Sequence, residues 1–183
     1  MSVYGAKELA AAFRTVRTNT ARVVEEIPDD QFDFVAAPGF RTVRALIAHM
    51  IWAPRISQGF HSGSRITTLK GFDFLAVMTQ AGTFEAQSRS KAALVAALTA
   101  DGESYAAWLE TLDDALLAET FTDATGASPK TRLESLMSAK EHEMHHRAQL
   151  MLILRLLGGV APLTRERQAR TAARAQAAAT ATA

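Results

Sequence analysis

The chain has 183 residues, a length suited to one domain with a real core, and at 48% hydrophobic and 21% charged its composition is that of a globular protein. Lys and Arg exceed Asp and Glu by one, but residues 164–183 carry Arg165, Arg167, Arg170 and Arg174 against Glu166, which leaves the body slightly acidic. A body without a basic face argues against nucleic acid as a partner. The absence of cysteine excludes disulfides, thiolate metal ligands and a cysteine nucleophile.

Charged residues (Lys7, Glu8, Arg14, Arg17) interrupt every apolar run at the N-terminus, so no secretory leader is expected. No stretch approaches the roughly 20 apolar residues of a membrane span. Leu150–Leu157, apolar except for Arg155, is too short and reads as buried helix. The expectation is a cytoplasmic protein without a membrane partner.

In chain order, the first helix is predicted from Ala6 to about Ile27, with Leu9, Phe13, Val16, Val23 and Ile27 on one stripe and Pro28-Asp29-Asp30 as its stop. Residues 31–41, with Pro38-Gly39, form a connection. Thr42 is a suitable N-cap for a second helix carrying Val43, Leu46, Ile47 and Met50. Pro54 removes one backbone bond and is expected to kink or end that helix soon after His49. Residues 62–89, with three glycines and scattered aromatics, read as a long crossover holding one short helix. A third long helix starts after Ser90, with Leu94, Leu98, Tyr105, Leu109 and Leu112 in step and Asp101-Gly102 as its weak point, at about 1 kcal/mol relative to alanine. Ser128-Pro129 reads as the start of the fourth, with Gly158-Gly159 as its stop, giving about 29 residues or roughly 43 Å. The alanine-rich tail from Ala169 reads as frayed or disordered. The fold expected is all-α: a four-helix bundle with long crossovers over residues 1–163 and a basic, Ala-rich tail over 164–183.

Three of the five histidines fall within Glu-His-Glu-Met-His-His-Arg, residues 141–147. His142 and His146, spaced i,i+4, lie about 40° apart around a helix and one turn apart along it, so two imidazoles can meet one ion without bending the backbone. A polar face that happens to be rich in histidine has the same spacing. Adjacent residues point about 100° apart, so His145 and His146 share an ion poorly. His49 sits among Ala45, Ala48 and Ala53, three residues before Trp52 and on the flank of its helix's apolar stripe. Taken alone, it fits a hydrogen-bonded residue at the edge of a core as well as it fits a ligand. His61, between Gly59 and Gly63, reads as surface.

Leu46-Ile47-Ala48-His49-Met50, together with His142-Glu-Met-His-His-Arg-Ala-Gln-Leu150, Leu154-Arg155 and Gly158, resembles the DinB/YfiT-like family of metal-dependent proteins, over about residues 5–163. That family is unrelated to the DNA polymerase of similar name. The resemblance implies a bundle of four helices, usually dimeric, with three histidines holding zinc, nickel or a similar ion. His49 matches the second-helix ligand, and His142 and His146 match the fourth-helix pair. His145, Arg147 and Gln149 also match the motif, without a role that carries over.

A three-histidine site with an open position suits catalysis. Imidazole accepts iron and manganese as well as zinc and nickel. The resemblance implies metal-dependent transfer of a low-molecular-weight thiol, or hydrolysis of a small substrate with Glu143 or a substrate group taking the proton. A non-catalytic metal-binding stress or interaction protein is the alternative from another class. His142-Glu143-x-x-His146 also reads as a metalloprotease helix with Glu166 as a third ligand, but no strand-rich region accompanies it and His49 is left without a role. Met137, Met144 and Met151 form an i,i+7 stripe consistent with a homodimer, and equally with ordinary core filling.

Overall fold

The computed structural model describes residues 4–62 and 66–181. Its helices in chain order are α1 (Ala6–Glu26), α2 (Val43–His61), α3 (Phe74–Glu85), α4 (Lys91–Glu110), α5 (Asp114–Ala118), α6 (Arg132–Leu156) and α7 (Pro162–Ala181). The four long amphipathic helices α1, α2, α4 and α6 make the bundle. α1 packs on α4 and α6, and so does α2, which puts α1 and α2 on opposite corners. The chain therefore crosses the bundle diagonally from α1 to α2 and again from α4 to α6, and the long connections after α1 and α4 make that possible.

Polar caps set the helix starts. The Thr42 hydroxyl accepts the Ala45 N–H and the Ser90 hydroxyl accepts the Ala93 N–H, satisfying donors that have no partner within the helix. Gly158, at φ +84°, supplies the left-handed residue that ends α6. Two expected boundaries differ. α2 runs through Pro54 to His61, because the carbonyl that proline leaves without its helical donor, Met50 O, accepts from Arg17 Nη2 at 3.1 Å. α6 begins at Arg132 rather than at Pro129: Thr131 and Glu134 form a reciprocal capping box there. Lys130–Thr131 instead becomes a short strand, β2, antiparallel to β1 (Thr120–Phe121). The tail is helical in α7, exposed from Arg167 onward and tied to α1 by Arg165–Glu26 and Arg22–Glu166 pairs.

Two apolar cores fill the bundle. One holds Val23, Ile27, Ile47, Met50, Leu94, Leu98, Leu150 and Leu154, and the other Leu9, Phe13, Tyr105, Leu109 and Leu136. Met137 and Met151 pack against these cores, whereas Met144 is exposed. Between the cores lies a polar level. Here Arg17 of α1 meets Glu143 of α6 at 2.7 Å, both side chains at most 5% exposed. Gly102 lets the arginine through: a Cβ there would stand 2.5 Å from Arg17 Cγ, so the glycine expected as a weak point of α4 is a point of close approach. Among the described residues, no helix is long and apolar enough to cross a membrane.

Candidate metal centre

α2 and α6 pack side by side, and the polar flank of each faces the other at the level between the cores. His49 on α2 and His142 and His146 on α6 meet there. His142 Nε2 lies 3.0 Å from His49 Nε2 and 3.1 Å from His146 Nε2. All three rings are half-buried or buried.

The outer nitrogens decide what these inner ones can be. His49 Nδ1 stands 2.7 Å from Glu85 Oε1, a carboxylate oxygen that only accepts, so Nδ1 carries the proton. His146 Nδ1 stands 2.7 Å from Gln149 Oε1, which likewise accepts. The Nε2 atoms of His49 and His146 are then bare lone pairs, both turned toward His142 Nε2. One proton on His142 Nε2 can serve only one of them. At least one lone-pair contact at about 3 Å is left without a hydrogen, an arrangement a cation resolves and neutral imidazoles alone do not. The donor set fits a metal: three neutral nitrogens on one side and none of the protein's carboxylates among them. A tetrahedral ion with Zn–N bonds of about 2.05 Å keeps its nitrogens about 3.3 Å apart, close to the spacing seen.

Electrostatics keeps the trio neutral. Burial lowers the pKa of all three rings, and for His142 the neighbouring His146 and His49 add to it, bringing it down to about 4. Burial alone would raise Glu85, but hydrogen bonds from Arg41 and His49 outweigh it and hold the carboxyl below its usual range. Arg41 Nε donates to Glu85 at 2.7 Å, so the chain Arg41–Glu85–His49 fixes both charge and ring orientation.

Two cavities flank the trio. One, of about 410 Å³, runs from His49 and His142 to Lys130 and Ser135. The other, about 240 Å³, reaches His146 and Gln149 from the side of Phe40 and Arg41.

Of the residues the sequence singled out, His49, His142 and His146 come together. Glu143 does not join them: it turns the 100° that separates neighbours on a helix and is buried against Arg17 between α1 and α6. Burial pushes its carboxyl up, and Arg17 opposes that shift. Glu166 pairs with Arg22, away from the trio, so the protease reading lacks both its base and its third ligand. His145 is exposed, with Nε2 3.3 Å from Gln149 Nε2, and Arg147 Nη1 reaches Val16 O. His61 is not a surface residue; at 2% exposure it is enclosed by Arg132 and Ser135. Sequence reasoning missed Glu85, which sits in a crossover with no periodicity to mark it. Its one signal is isolation, since no other carboxylate falls between Asp73 and Asp101.

The model of the DinB superfamily matches residues 12–150. Among solved structures, the chain is similar to YfiT from Bacillus subtilis, described as a probable metal-dependent hydrolase with an unusual four-helix bundle topology. The TM-score is 0.66 at 18% identity, over 87% of this chain and 91% of that one. It is also similar to the DinB-like protein YjoA from Bacillus subtilis (TM-score 0.60, 18% identity, 84% and 93% covered). A DinB-like protein from Bacillus cereus gives TM-score 0.63 at 17% identity, with 85% and 94% covered. No curated protein matches the chain.

Proposed function

Because the chain belongs to the DinB superfamily, we propose that it is a metal-dependent enzyme acting on small molecules, with His49, His142 and His146 holding one divalent ion, zinc or nickel before iron or manganese. When bound, such an ion supplies Lewis acidity, lowering the pKa of a thiol or water or polarising a carbonyl. The protein's own part is positional. Glu85 and Gln149 hold the Nδ1 protons of His49 and His146, which points both Nε2 lone pairs inward. Arg41 keeps Glu85 ionised, and the two apolar cores exclude water from above and below.

Between transfer and hydrolysis, one observation favours transfer of a small thiol to an electrophile. Cavities reach the trio from two sides, with His146 in the wall of one and His49 and His142 in the wall of the other, which suits two reactants. In that reaction the sulfur forms a bond to the electrophilic carbon, the group on that carbon departs with the bonding pair, and the thiol's proton leaves with it or to solvent. The placement of Glu143 agrees, because among the described residues no carboxylate lines either cavity to act as the base hydrolysis calls for. Hydrolysis is the second reading, favoured by the description of YfiT as a probable metal-dependent hydrolase.

The test is a panel of low-molecular-weight thiols against a chromogenic electrophile, run with metal-loaded protein, after chelation and after metal is restored. Thiol-dependent turnover that vanishes with chelator and returns with metal is expected. Ester cleavage without thiol would move the reading to hydrolysis. Full metal loading with neither reaction would support a binding protein without turnover.

A further inference from the structure

The 410 Å³ cavity has an end that metal chemistry leaves unexplained. Arg132, fully buried, donates from Nη1 to His61 Nδ1 at 3.1 Å. A guanidinium has no acceptor, so His61 Nδ1 is the lone pair and its proton sits on Nε2. Nε2 in turn lies 3.1 Å from Ser135 Oγ and donates to it. That direction rules out a serine nucleophile, because His61 has no lone pair left to take the Ser135 proton. It also settles what Ser135 offers. One lone pair of its oxygen accepts from His61, and its own hydrogen has no acceptor among the described residues.

Ser135, only 8% exposed, lines the cavity, and so does Lys130, placed there by the β1–β2 pairing. No carboxylate lies within ion-pair distance of Lys130 among the described residues, and none lines the cavity. This end therefore presents one solvent-exposed cation at its mouth and one buried O–H without an acceptor among the described residues. Between it and the histidines the walls are mostly apolar (Ile56, Phe60, Leu69, Met78 and Phe121), with Ser57 and Ser138 also in the lining, the first accepting from Tyr105 and the second donating to Ser135 O. The volume falls in the range of small-molecule sites.

We infer that this cavity takes a small carboxylate with an apolar body, its carboxylate held by Lys130 and the Ser135 hydroxyl and its opposite end presented to His49 and His142. The inference deepens the functional reading above and rests on it only for the reaction at the histidine end. A buried hydroxyl pre-set by the Arg132–His61 relay costs little reorganisation when an anion arrives, and a charge-assisted bond is stronger than a neutral one.

The test is calorimetric titration of the zinc-loaded full chain with 3-phenylpropionate and with 3-phenylpropionamide, the neutral analogue of the same shape. The acid should bind at least about tenfold more tightly than the amide. Lys130→Gln and Ser135→Ala should each lose most of that preference while leaving zinc content unchanged; Lys130→Gln should also keep the melting temperature, whereas Ser135→Ala should lower it, because His61 Nε2 loses its buried acceptor. Equal binding of acid and amide by the unaltered protein overturns the inference. So does a preference that survives in the double variant but disappears when zinc is removed, since the carboxylate would then sit on the ion. If the chain takes up no zinc yet keeps a preference that depends on Lys130 and Ser135, the metal reading fails and the carboxylate site stands.

Discussion

Residues 142–147 of α6 build two polar clusters that face different neighbouring helices and are balanced differently. Toward α1, Glu143 meets Arg17 at 2.7 Å in a pocket of protein that closes over both. Toward α2, His142 and His146 meet His49 with their lone pairs turned on one another. The first cluster is balanced in charge as a pair, although Arg17 Nε and Nη1 and both Glu143 oxygens lack a well-aligned hydrogen bond. The second is neutral ring by ring but has more acceptors than protons, a set of lone pairs that could hold a cation. Two stretches of buried polarity one residue apart thus do different work: one fixes how α6 is rotated between its neighbours, and the other uses that rotation to aim two imidazoles.

The largest effect expected from this contrast is on stability. Glu143→Leu leaves Arg17 buried without its counter-charge and should cost about 3–5 kcal/mol in denaturant unfolding. Arg17→Met together with Glu143→Leu should recover part of that loss, because an apolar pair needs no desolvation, but the Met50 carbonyl then loses its donor. If the single variant unfolds like the unaltered chain, the pair is not the structural half of the comparison.

Next in size is the support of the histidines. Glu85→Gln keeps the shape but weakens the acceptor for His49 Nδ1, and should reduce metal affinity about 10–100-fold while hardly moving the melting point of the metal-free protein. Equilibrium competition with a chromophoric chelator measures it, and an unchanged affinity would remove Glu85 from the centre.

A smaller effect, visible only in acid, belongs to His61. Burial first, then Arg132 and Lys130, lower its pKa to about 4, against about 6.5 in the unfolded chain. The unfolded state therefore binds the extra proton first as pH falls. The stability His61 contributes is intact above pH 6.5 and declines between about 6.5 and 4. His61→Gln should show a shallower loss of stability across that window than the unaltered protein, as read from urea midpoints at successive pH values.

The bundle and the His142/His146 pair were legible in the sequence because both rest on local periodicity, whereas His49 joined them only through the family resemblance. Stripes such as Leu9, Phe13 and Val16 fix helix faces, and an i,i+4 pair is close wherever a helix forms. What could not be read depends on contacts between elements distant along the chain. Pro54 fails to end α2 because Arg17, 37 residues earlier, takes up the orphaned Met50 carbonyl. Pro129 opens no helix because Lys130 and Thr131 pair with β1. His61 looked like surface between two glycines, and only the arrival of Arg132 encloses it. Glu143 stands in a His-Glu-x-x-His pattern that suggests a base, but the pattern cannot say that α1 carries an arginine on the facing side. Glu85 reaches His49 across 36 residues from a helix with a single buried residue, Ala81, so no apolar stripe announces it.

The central claim is that His49, His142 and His146 form one metal centre, and element analysis of dialysed protein after loading with zinc or nickel tests it most directly. The unaltered chain and His145→Ala should each retain one equivalent per chain, and alanine at 49, 142 or 146 should leave little or none. A full equivalent retained by His49→Ala would contradict the account, since the α2 imidazole would then be no ligand. Equal, graded losses from all four variants would mean a histidine-rich surface and no centre.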